Sequence, residues 1–409
     1  MKKGLEAKKL GELCTIKGRI GYRGYTKQDL VSKGEGAISL SPSNIIDKDF
    51  DLENCTYISW FKYEESPEIM IFNGDIIFVK TGSSFGKSAL VEELPEKATI
   101  NPQLVVFKNI TCVNKYLYYA VNSVEFKTQV NKIIGGTAIP TLSQANLAEL
   151  SIPVPPLPEQ QRIVALLDET FAALTKVHAN AERNQVNARE VFDSALEDIF
   201  GNLLVNDKTQ QTQIGDIALV QGGYSFKSKD FKSKGKYQVI RMGNVRPDVL
   251  RLEENPVFVD NIDSDVLERA LLKQNDVIIT QTGTKKKRDY GYTVLISQPN
   301  LLLNQRLSKI RFPENYLPKF FLYYSWTNFF KDQFFADETG TVGQGNVGKA
   351  GITDTFIPLL PFTEQRAIVQ RLDALAKETR RLEEVYRSKV EAVEELRRSV
   401  LGKAFAGEL

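Results

Sequence analysis

The chain has 409 residues, of which 42% are hydrophobic and 25% are charged, and its formal net charge at pH 7 is +2. This composition excludes a disordered chain and allows two or three globular domains, while the small net charge excludes a uniformly basic nucleic-acid coat. Cys14, Cys55 and Cys112 are odd in number and far apart, so neither a disulfide framework nor a paired-cysteine zinc site is indicated. No apolar run is long enough to cross a bilayer, which predicts a cytoplasmic protein with no membrane partner.

The predicted elements of the first half return in the same order in the second half. Residues 10–13 open the first half and residues 214–217 open the second. A predicted strand at 74–78 leads into a Thr-Gly turn at 81–82, and a strand at 275–279 leads into the same turn at 282–283. Further matches pair residues 101–104 with 304–307, and Tyr118 and Tyr119 with Tyr323 and Tyr324. One scaffold therefore occurs twice, with different loop residues.

The most similar segments are two proline-rich joints that lie 205 positions apart. Residues 152–164 read IPVPPLPEQQRIV, and residues 357–369 read IPLLPFTEQRAIV. The prolines cannot lie inside a helix, so we expect each joint to end where a helix begins. Each joint thus links one globular half to a helix.

The segments after the joints predict two long helices. Glycine and proline are absent from 159–200 and from 364–401, so each helix can run for about 38 to 42 residues, or roughly 60 Å. Both segments have apolar residues at alternating steps of four and three, which indicates a coiled-coil seam. The predicted seam contains Ile163, Leu167, Leu174, Val177 and Val191 in the first helix, and Ile368, Leu372, Leu375, Leu382, Val393 and Leu396 in the second.

An isolated helix would expose such a seam to water, so we expect the two helices to cover each other. An antiparallel pair would place one domain at each end and give the molecule approximate two-fold symmetry. Packing of each helix on its own domain, or on another subunit, is the alternative.

Several short motifs point away from catalysis. Gly82 and Gly86 enclose three residues, whereas a phosphate-binding loop needs four. Residues 343–348 formally fit a dinucleotide motif but lack the preceding strand, so they indicate a mobile glycine loop. There is no Asn-Pro-Pro-aromatic tetrad of an adenine methyltransferase, and no acidic cluster of a metal-dependent nuclease. His178 is the only histidine, so a histidine-based triad or metal cluster is not indicated. These observations favour a binding protein.

Aromatic and basic residues recur in matching loops of the two halves. Tyr22, Arg23, Tyr25 and Lys27 lie in the first half, and Tyr224, Phe226 and Lys227 lie at the equivalent place in the second. A further basic cluster occupies residues 285–288. Such side chains can contact phosphates and base edges. Ordinary solvated lysines are the alternative interpretation of each cluster.

The two joints, the helices that follow them and the ending LRRSVLGKAFAGEL together resemble the specificity subunit of type I restriction-modification systems, and this resemblance covers essentially the whole chain. It implies an α/β fold with mixed α+β globular domains: two tandem target-recognition domains on an antiparallel coiled coil. The corresponding domains would be residues 1–152 and 205–357, with spacer helices at 153–204 and 358–409. Each domain would read one half of a bipartite, asymmetric site in double-stranded DNA.

The resemblance also implies that this chain has no cofactor of its own and does no chemistry. S-adenosylmethionine, ATP and Mg²⁺ would be bound by partner methyltransferase and restriction subunits. Two alternatives remain: a specificity chain that serves a nuclease-methyltransferase fusion, and a coiled-coil protein scaffold that binds no DNA. The predicted DNA-binding residues are Arg19, Tyr22, Arg23, Lys27, Lys80, Thr81, Ser83, Lys87, Thr137, Tyr224, Lys227, Arg241, Gln281, Thr282, Thr284, Lys285, Lys286, Lys287, Arg288, Tyr290 and Thr341.

Overall fold

The structure is a computed structural model that describes residues 6–46, 49–134, 141–341 and 343–409. The chain forms two compact units: unit 1 comprises Met1–Ala181 and Ser388–Leu409, and unit 2 comprises Glu182–Arg387. The predicted arrangement of two tandem mixed domains with two long helices is confirmed. The boundaries of the units fall inside the long helices, so each unit includes a part of both.

Unit 1 contains three main sheets. An antiparallel four-stranded sheet has the order β2-β11-β8-β9, a second sheet has the order β10-β4-β7-β3, and β1 pairs with β12. The strands are β1 (Glu6–Lys9), β2 (Thr15–Lys17), β3 (Leu30–Val31), β4 (Gly36–Leu40), β5 (Ile45–Ile46), β6 (Asp49–Phe50), β7 (Thr56–Ser59), β8 (Ile76–Val79), β9 (Ser88–Leu90), β10 (Ala98–Ile100), β11 (Leu104–Lys108) and β12 (Ser151–Val154). The short helices are α1 (Leu10–Leu13), α2 (Trp60–Glu64), α3 (Asn114–Asn122), α4 (Val124–Ile134) and α5 (Gln144–Ala148).

Unit 2 repeats this plan with the sheet order β14-β23-β19-β21, a three-stranded sheet β18-β15-β22, and the pair β13 and β26. Its strands are β13 (Gln210–Gln213), β14 (Leu219–Gly222), β15 (Tyr237–Ile240), β16 (Val245–Arg246), β17 (Val249–Leu250), β18 (Phe258–Val259), β19 (Val277–Thr280), β20 (Thr282–Gly283), β21 (Thr293–Leu295), β22 (Leu301–Leu303), β23 (Leu307–Arg311), β24 (Thr339–Thr341), β25 (Gln344–Asn346) and β26 (Phe356–Leu359). Its short helices are α7 (Ile214–Ile217), α8 (Ser264–Ala270), α9 (Pro318–Tyr324), α10 (Asn328–Phe334) and α11 (Ala350–Thr353).

The two long helices are longer than predicted. Helix α6 (Leu157–Val205) has 49 residues and α12 (Phe362–Ala406) has 45. Pro158 lies in the first turn of α6, where its missing N–H has no helical partner to lose. Gly201 lies inside α6, where a Cβ would lie 3.3 Å from the ring of Phe329, so close packing here suits glycine despite its low helix propensity.

Within each unit, α6 and α12 share one hydrophobic core with the globular part. In unit 1, Ile163 and Leu167 from the start of α6 lie in the core that contains Leu401 and Phe405 from the end of α12. In unit 2, Phe200 near the end of α6 lies in the core that contains Leu372 near the start of α12. The helices therefore run antiparallel within each unit, and they pack on their own domains as well as on each other.

The buried face of the helices differs from the predicted seam. Ile163, Leu167, Leu174, Leu372 and Val393 are buried, and Ile368, Leu375 and Leu382 are half-buried. By contrast, Val177, Val191 and Leu396 are 48%, 54% and 48% exposed. The next residue along the helix is less exposed in each case, because His178, Phe192 and Arg397 are partly buried.

Aromatic packing on the globular domains explains part of this shift. The ring of Phe171 packs against Tyr119 with centroids 5.5 Å apart, and the ring of Phe192 packs against Tyr323 at 6.0 Å. Phe192 follows the predicted seam residue Val191 by one position. The face of α6 is therefore oriented by the domains as well as by α12.

The glutamines of the two joints fix the start of each long helix to its domain. In unit 1, the Gln160 side chain accepts a hydrogen bond from the Val113 N–H (2.9 Å) and donates one to the Pro155 carbonyl (2.8 Å). In unit 2, Gln365 accepts from the Leu317 N–H (2.7 Å) and donates to the Leu360 carbonyl (2.8 Å). Both glutamines are buried. The repeated glutamine therefore binds the N-terminus of a short helix to the proline-rich joint.

The hydrogen bonds of two tyrosines show that one predicted match between the halves was wrong. The Tyr119 hydroxyl donates to Asp168, and the Tyr323 hydroxyl donates to Asp373. Tyr119 is therefore the counterpart of Tyr323, and the pairing of Tyr118 with Tyr323 was wrong by one residue. The two halves differ slightly in length upstream of the joints, so a single offset of 205 does not hold throughout.

Candidate nucleic-acid interface

Strand register brings four loops of unit 2 to one end of its sheets. Leu307, at the start of β23, pairs with Thr280 at the end of β19, and Ser308 pairs with Gly222 at the end of β14. Leu303, at the end of β22, pairs with Ile240 at the end of β15. The loops that continue from these ends are therefore neighbours: 223–236, 241–246, 281–292 and 304–306.

Unit 1 builds the same end from equivalent strands. Leu104 pairs with Val79, Val106 pairs with Lys17, and Ile100 pairs with Leu40. The loops at 18–29, 41–46, 80–87 and 101–103 therefore meet at one end of unit 1. In both units these loops include the clusters of aromatic and basic residues that the sequence predicts to contact DNA. We call these two loop ends the recognition ends.

A repeated asparagine supports one loop of each recognition end. Asn44 accepts a hydrogen bond from the Ser41 N–H at 2.9 Å and donates to the Asp51 carbonyl at 3.0 Å. Asn244 makes the same pair of bonds with the Arg241 N–H and the Arg251 carbonyl, each at 3.0 Å. Both asparagines are buried. They hold a short 3-10 turn in place after β4 and after β15.

The recognition end of unit 2 contains a cavity of about 640 Å³. Three arginines line it, namely Arg241, Arg246 and Arg306, together with the rings of Phe226 and Phe231. Its other polar lining comes from Asn244, Asn255, Asn304, Gln305, Ser228 and a single carboxylate, Glu254. Cationic and amide groups therefore converge on one concave surface, as base edges or phosphates require.

A small three-stranded sheet completes this end of unit 2. Strand β25 pairs with β20 and with β24. The segment that was predicted to be a mobile glycine loop thus includes a paired strand, and that prediction was wrong. A Cβ at Gly345 would lie 2.5 Å from both the Tyr290 hydroxyl and the Glu338 carboxylate, so a larger residue there would displace this hydrogen-bonded pair.

Four of the predicted DNA-binding residues are buried or bonded within the protein. The Arg19 guanidinium donates to the Ile100 carbonyl (3.0 Å) and to Thr99 (3.3 Å), and burial lowers its pKa. The Gln281 amide is bonded to the Val347 carbonyl and to Ser308, and Thr282 is bonded to Asn346. Tyr290 is buried and donates to Glu338, and burial raises its pKa. These side chains are held by bonds within the protein, and DNA contact by them stays a prediction.

Other predicted residues lie on the surface of the recognition ends. Tyr22 is 80% exposed, with the Arg23 guanidinium 5.5 Å from its ring centre. The Arg288 guanidinium lies 4.7 Å from the Phe335 ring. The exposed members are Tyr22, Lys27, Ser83, Lys87, Lys227, Lys286, Lys287, Arg288 and Thr341, and the partly exposed ones are Arg23, Lys80, Thr81, Tyr224, Arg241, Thr284 and Lys285. Thr137 lies outside the described residues.

Sequence reasoning missed the turns that connect β10 with β11 and β22 with β23. Gln103 and Arg306 lie exposed in these turns, although the surrounding segments were recognised as a repeat. Arg246, in the cavity wall, was also missed. The signal was present, because Gln103 and Arg306 occupy the same position of the matched segments and differ in charge.

Among the described residues, no group of three or more histidine, cysteine or acidic side chains is arranged to hold a metal ion. In the same part of the chain, no helix has the length and hydropathy needed to span a membrane.

Comparison with known proteins identifies the family. The model of the type I restriction modification DNA specificity domain matches residues 2–188 and again residues 206–392. The chain belongs to this family. Two matched copies explain the internal repeat, because each copy covers one globular half and most of the helix that follows it.

Relatives within the family match the specificity chain over most of its length. It is 21% identical to the EcoKI specificity subunit of Escherichia coli K12 over 407 residues, which cover 94% of this chain and 85% of that subunit. It is 24% identical to the MjaVIII specificity subunit of Methanocaldococcus jannaschii, over 84% of this chain and 80% of that one. A non-DNA-binding scaffold is not favoured by these matches.

Solved structures show the same fold. A chain from a structural study of the complex assembly and conformational transition of a type I R-M system aligns over 100% of the specificity chain and 99% of its own length, with a TM-score of 0.78 and 19% identity. The HsdS subunit of Thermoanaerobacter tengcongensis aligns over 100% and 98%, with a TM-score of 0.61 and 19% identity.

Proposed function

We propose that this specificity chain reads a bipartite, asymmetric DNA site, with one half-site bound by the recognition end of each unit. The supporting observation is that equivalent strands carry two loop sets of different chemistry. The four loops of unit 2 contain twelve basic and two acidic residues, whereas the four loops of unit 1 contain five basic and one acidic residue. Two different surfaces on one scaffold suit two different half-sites.

The long helices suit a second task, which is to set the length of the unread spacer. Helix α6 spans roughly 73 Å at 1.5 Å per residue and is continuous over its 49 residues. We expect the insertion of one heptad after Leu174, with one heptad at the facing position of α12, to lengthen the spacer and leave both half-sites unchanged. An unchanged spacer would exclude the ruler function.

The helices also present apolar side chains that the fold leaves exposed. They include Val177 and Leu396 in unit 1, and Val186, Val191 and Val385 in unit 2. We propose that each unit docks one methyltransferase subunit through these exposed apolar side chains. Restriction subunits would join the same assembly, and S-adenosylmethionine, ATP and Mg²⁺ would be bound by these partners. This chain would select the site without doing chemistry.

Methylome sequencing tests the reading of DNA. The full-length chain would be expressed with its methyltransferase subunits in a host that lacks other adenine methylation. We expect a single bipartite motif with two different half-sites. Random or monopartite methylation would exclude the proposal. A bipartite motif that appears only when the chain is expressed with a fused nuclease-methyltransferase would assign the chain to that type of system.

Docking is tested by Val177→Ser combined with Leu396→Ser. These side chains are exposed, so the free energy of unfolding should change by less than about 0.5 kcal/mol for each substitution. Binding of methyltransferase subunits, measured by calorimetry, should weaken. Asn187→Ser, at an exposed polar position of α6, is the control, and equal effects of both changes would exclude docking through these apolar side chains.

A further inference from the structure

The turns at 101–103 and 304–306 place one side chain of different chemistry at the same position of each recognition end. The Lys80 N–H, just after β8, donates to the Gln103 carbonyl at 3.0 Å. The Gln281 N–H, just after β19, donates to the Arg306 carbonyl at 3.1 Å. The Asn101 N–H bonds to the Leu40 carbonyl, and the Asn304 N–H bonds to the Ile240 carbonyl. Gln103 and Arg306 are therefore structural equivalents.

Both turns are rigidly anchored. Ile100 and Leu104 flank the first turn, Leu303 and Leu307 flank the second, and all four side chains are fully buried. The turns are closed by bonds from the Leu104 N–H to the Asn101 carbonyl (3.2 Å) and from the Leu307 N–H to the Asn304 carbonyl (3.1 Å). A side chain on such a turn projects from a fixed backbone, which is the geometry that selective recognition needs.

The surroundings of the two side chains differ in a way that matches their chemistry. The side-chain oxygen of Gln103, Oε1, accepts a hydrogen bond from the side-chain amide of Asn101 at 3.2 Å. This bond orients the glutamine amide. Arg306 makes no hydrogen bond or ion pair through its side chain to any residue that the structure describes, and it lines the cavity together with Arg241 and Arg246. Its five donors therefore remain available to a ligand.

Resting on the proposed function, we propose that Gln103 and Arg306 are matched specificity positions, with Gln103 reading an adenine in one half-site and Arg306 reading a guanine in the other. A glutamine amide pairs with adenine through N6 and N7, and an arginine guanidinium donates two hydrogen bonds to O6 and N7 of guanine. The arginine-lined cavity gives Arg306 a concave, cationic environment in which the electronegative guanine edge is favoured. In unit 1, the Asn101 amide orients the Gln103 side chain instead.

Reciprocal substitution tests this assignment. The complexes of the full-length chain with methyltransferase subunits would carry either Arg306→Gln or Gln103→Arg, and their methylomes would be compared with that of the unsubstituted complex. We expect Arg306→Gln to change one base pair, from G·C to A·T, in the half-site read by unit 2 only. Gln103→Arg should make the opposite change in the other half-site. The preference of the complex for G·C over A·T at the altered position should shift by roughly 5- to 150-fold.

Two further variants separate base reading from other effects. Arg306→Ala should relax the same position without creating a new preference, and Lys286→Ala should weaken binding at all sequences equally, as a phosphate contact does. The thermal unfolding midpoint of each variant shows whether the exposed turn tolerates the change.

The outcomes are distinct. If the unsubstituted complex methylates no bipartite motif, the proposed function fails. If it does, but Arg306→Gln keeps the motif unchanged or lowers methylation at every site equally, the assignment of Arg306 to a base is wrong.

Discussion

The two recognition ends share a strand framework and differ in the charge of their loops. Their four loops contain twelve basic residues in unit 2 and five in unit 1, yet the four-stranded sheets beneath them correspond strand for strand, β2-β11-β8-β9 in unit 1 and β14-β23-β19-β21 in unit 2. The framework is constrained because a shift of register by one residue would turn buried side chains toward water. Loops on such a framework carry no comparable constraint, so the two ends can differ in what they bind.

The joints provide the opposite case. Gln160 and Gln365 make the same two hydrogen bonds in the two units. A buried amide must satisfy both its donor and its acceptor, and few other side chains could do so in this space. The contrast shows which parts of the duplicated chain can diverge and which cannot.

The largest expected effect comes from exchange of a whole domain. Replacing residues 1–150 with the first domain of another family member should change one half-site completely and leave the other half-site and the spacer unchanged. The reason is that the loops of each unit lie on that unit's own strands. Methylome sequencing of the exchanged complex measures this, and a change in both half-sites would show that the two ends do not act independently.

The joints should be sensitive to the loss of a single amide. Gln365→Ala leaves the partly buried Leu317 N–H without its partner and creates a small cavity where the buried Gln365 side chain was, so the free energy of unfolding should fall by about 2 to 4 kcal/mol. Gln160→Ala should have an effect of similar size on unit 1. Urea unfolding followed by circular dichroism provides the measurement.

Neighbouring glutamines serve as matched controls for this experiment. Gln161 and Gln370 are exposed on the same two helices, and their replacement by alanine should change the free energy of unfolding by less than about 0.5 kcal/mol. Destabilisation of similar size by Gln161→Ala and Gln160→Ala would argue against the role assigned to the joint glutamines.

The smallest expected effect concerns the difference in charge between the recognition ends. Lys285→Ala, Lys286→Ala and Lys287→Ala together should reduce the salt dependence of DNA binding, with the logarithmic slope less negative by up to roughly three units. Lys80→Ala with Lys87→Ala should reduce it by no more than roughly two. Fluorescence anisotropy of the assembled methyltransferase at several salt concentrations measures both, and equal slopes would mean that the extra charge of unit 2 does not contact phosphates.

Much of the fold followed from local patterns. The strands after residues 74 and 275, the two joints and the long helices were all predicted, because buried apolar runs, prolines and heptads act over short distances. The first long helix was predicted too short, because Pro158 is tolerated in its first turn and because Gly201 fits inside the helix where it packs close to Phe329. Val177, Val191 and Leu396 were assigned to the seam from their spacing alone, and all three are exposed.

The candidate site depended more on contacts that sequence does not record. Arg19, Gln281 and Tyr290 have the side chains of DNA-binding residues, but each is bonded to a partner far away in sequence. Gln103 and Arg306 were overlooked because a short turn gives no periodic signal, although strand register places both at a recognition end.

The sequence by itself determined that this protein is a duplicated chain with two mixed domains and two long helices, because the repeat, the prolines and the apolar period are all local features. Only the tertiary structure decided which face of each helix is buried and which polar side chains remain exposed at the recognition ends. The physical reason is that burial and hydrogen bonding depend on partners such as Phe171 with Tyr119 and Arg19 with Ile100, which the fold brings together from distant parts of the chain.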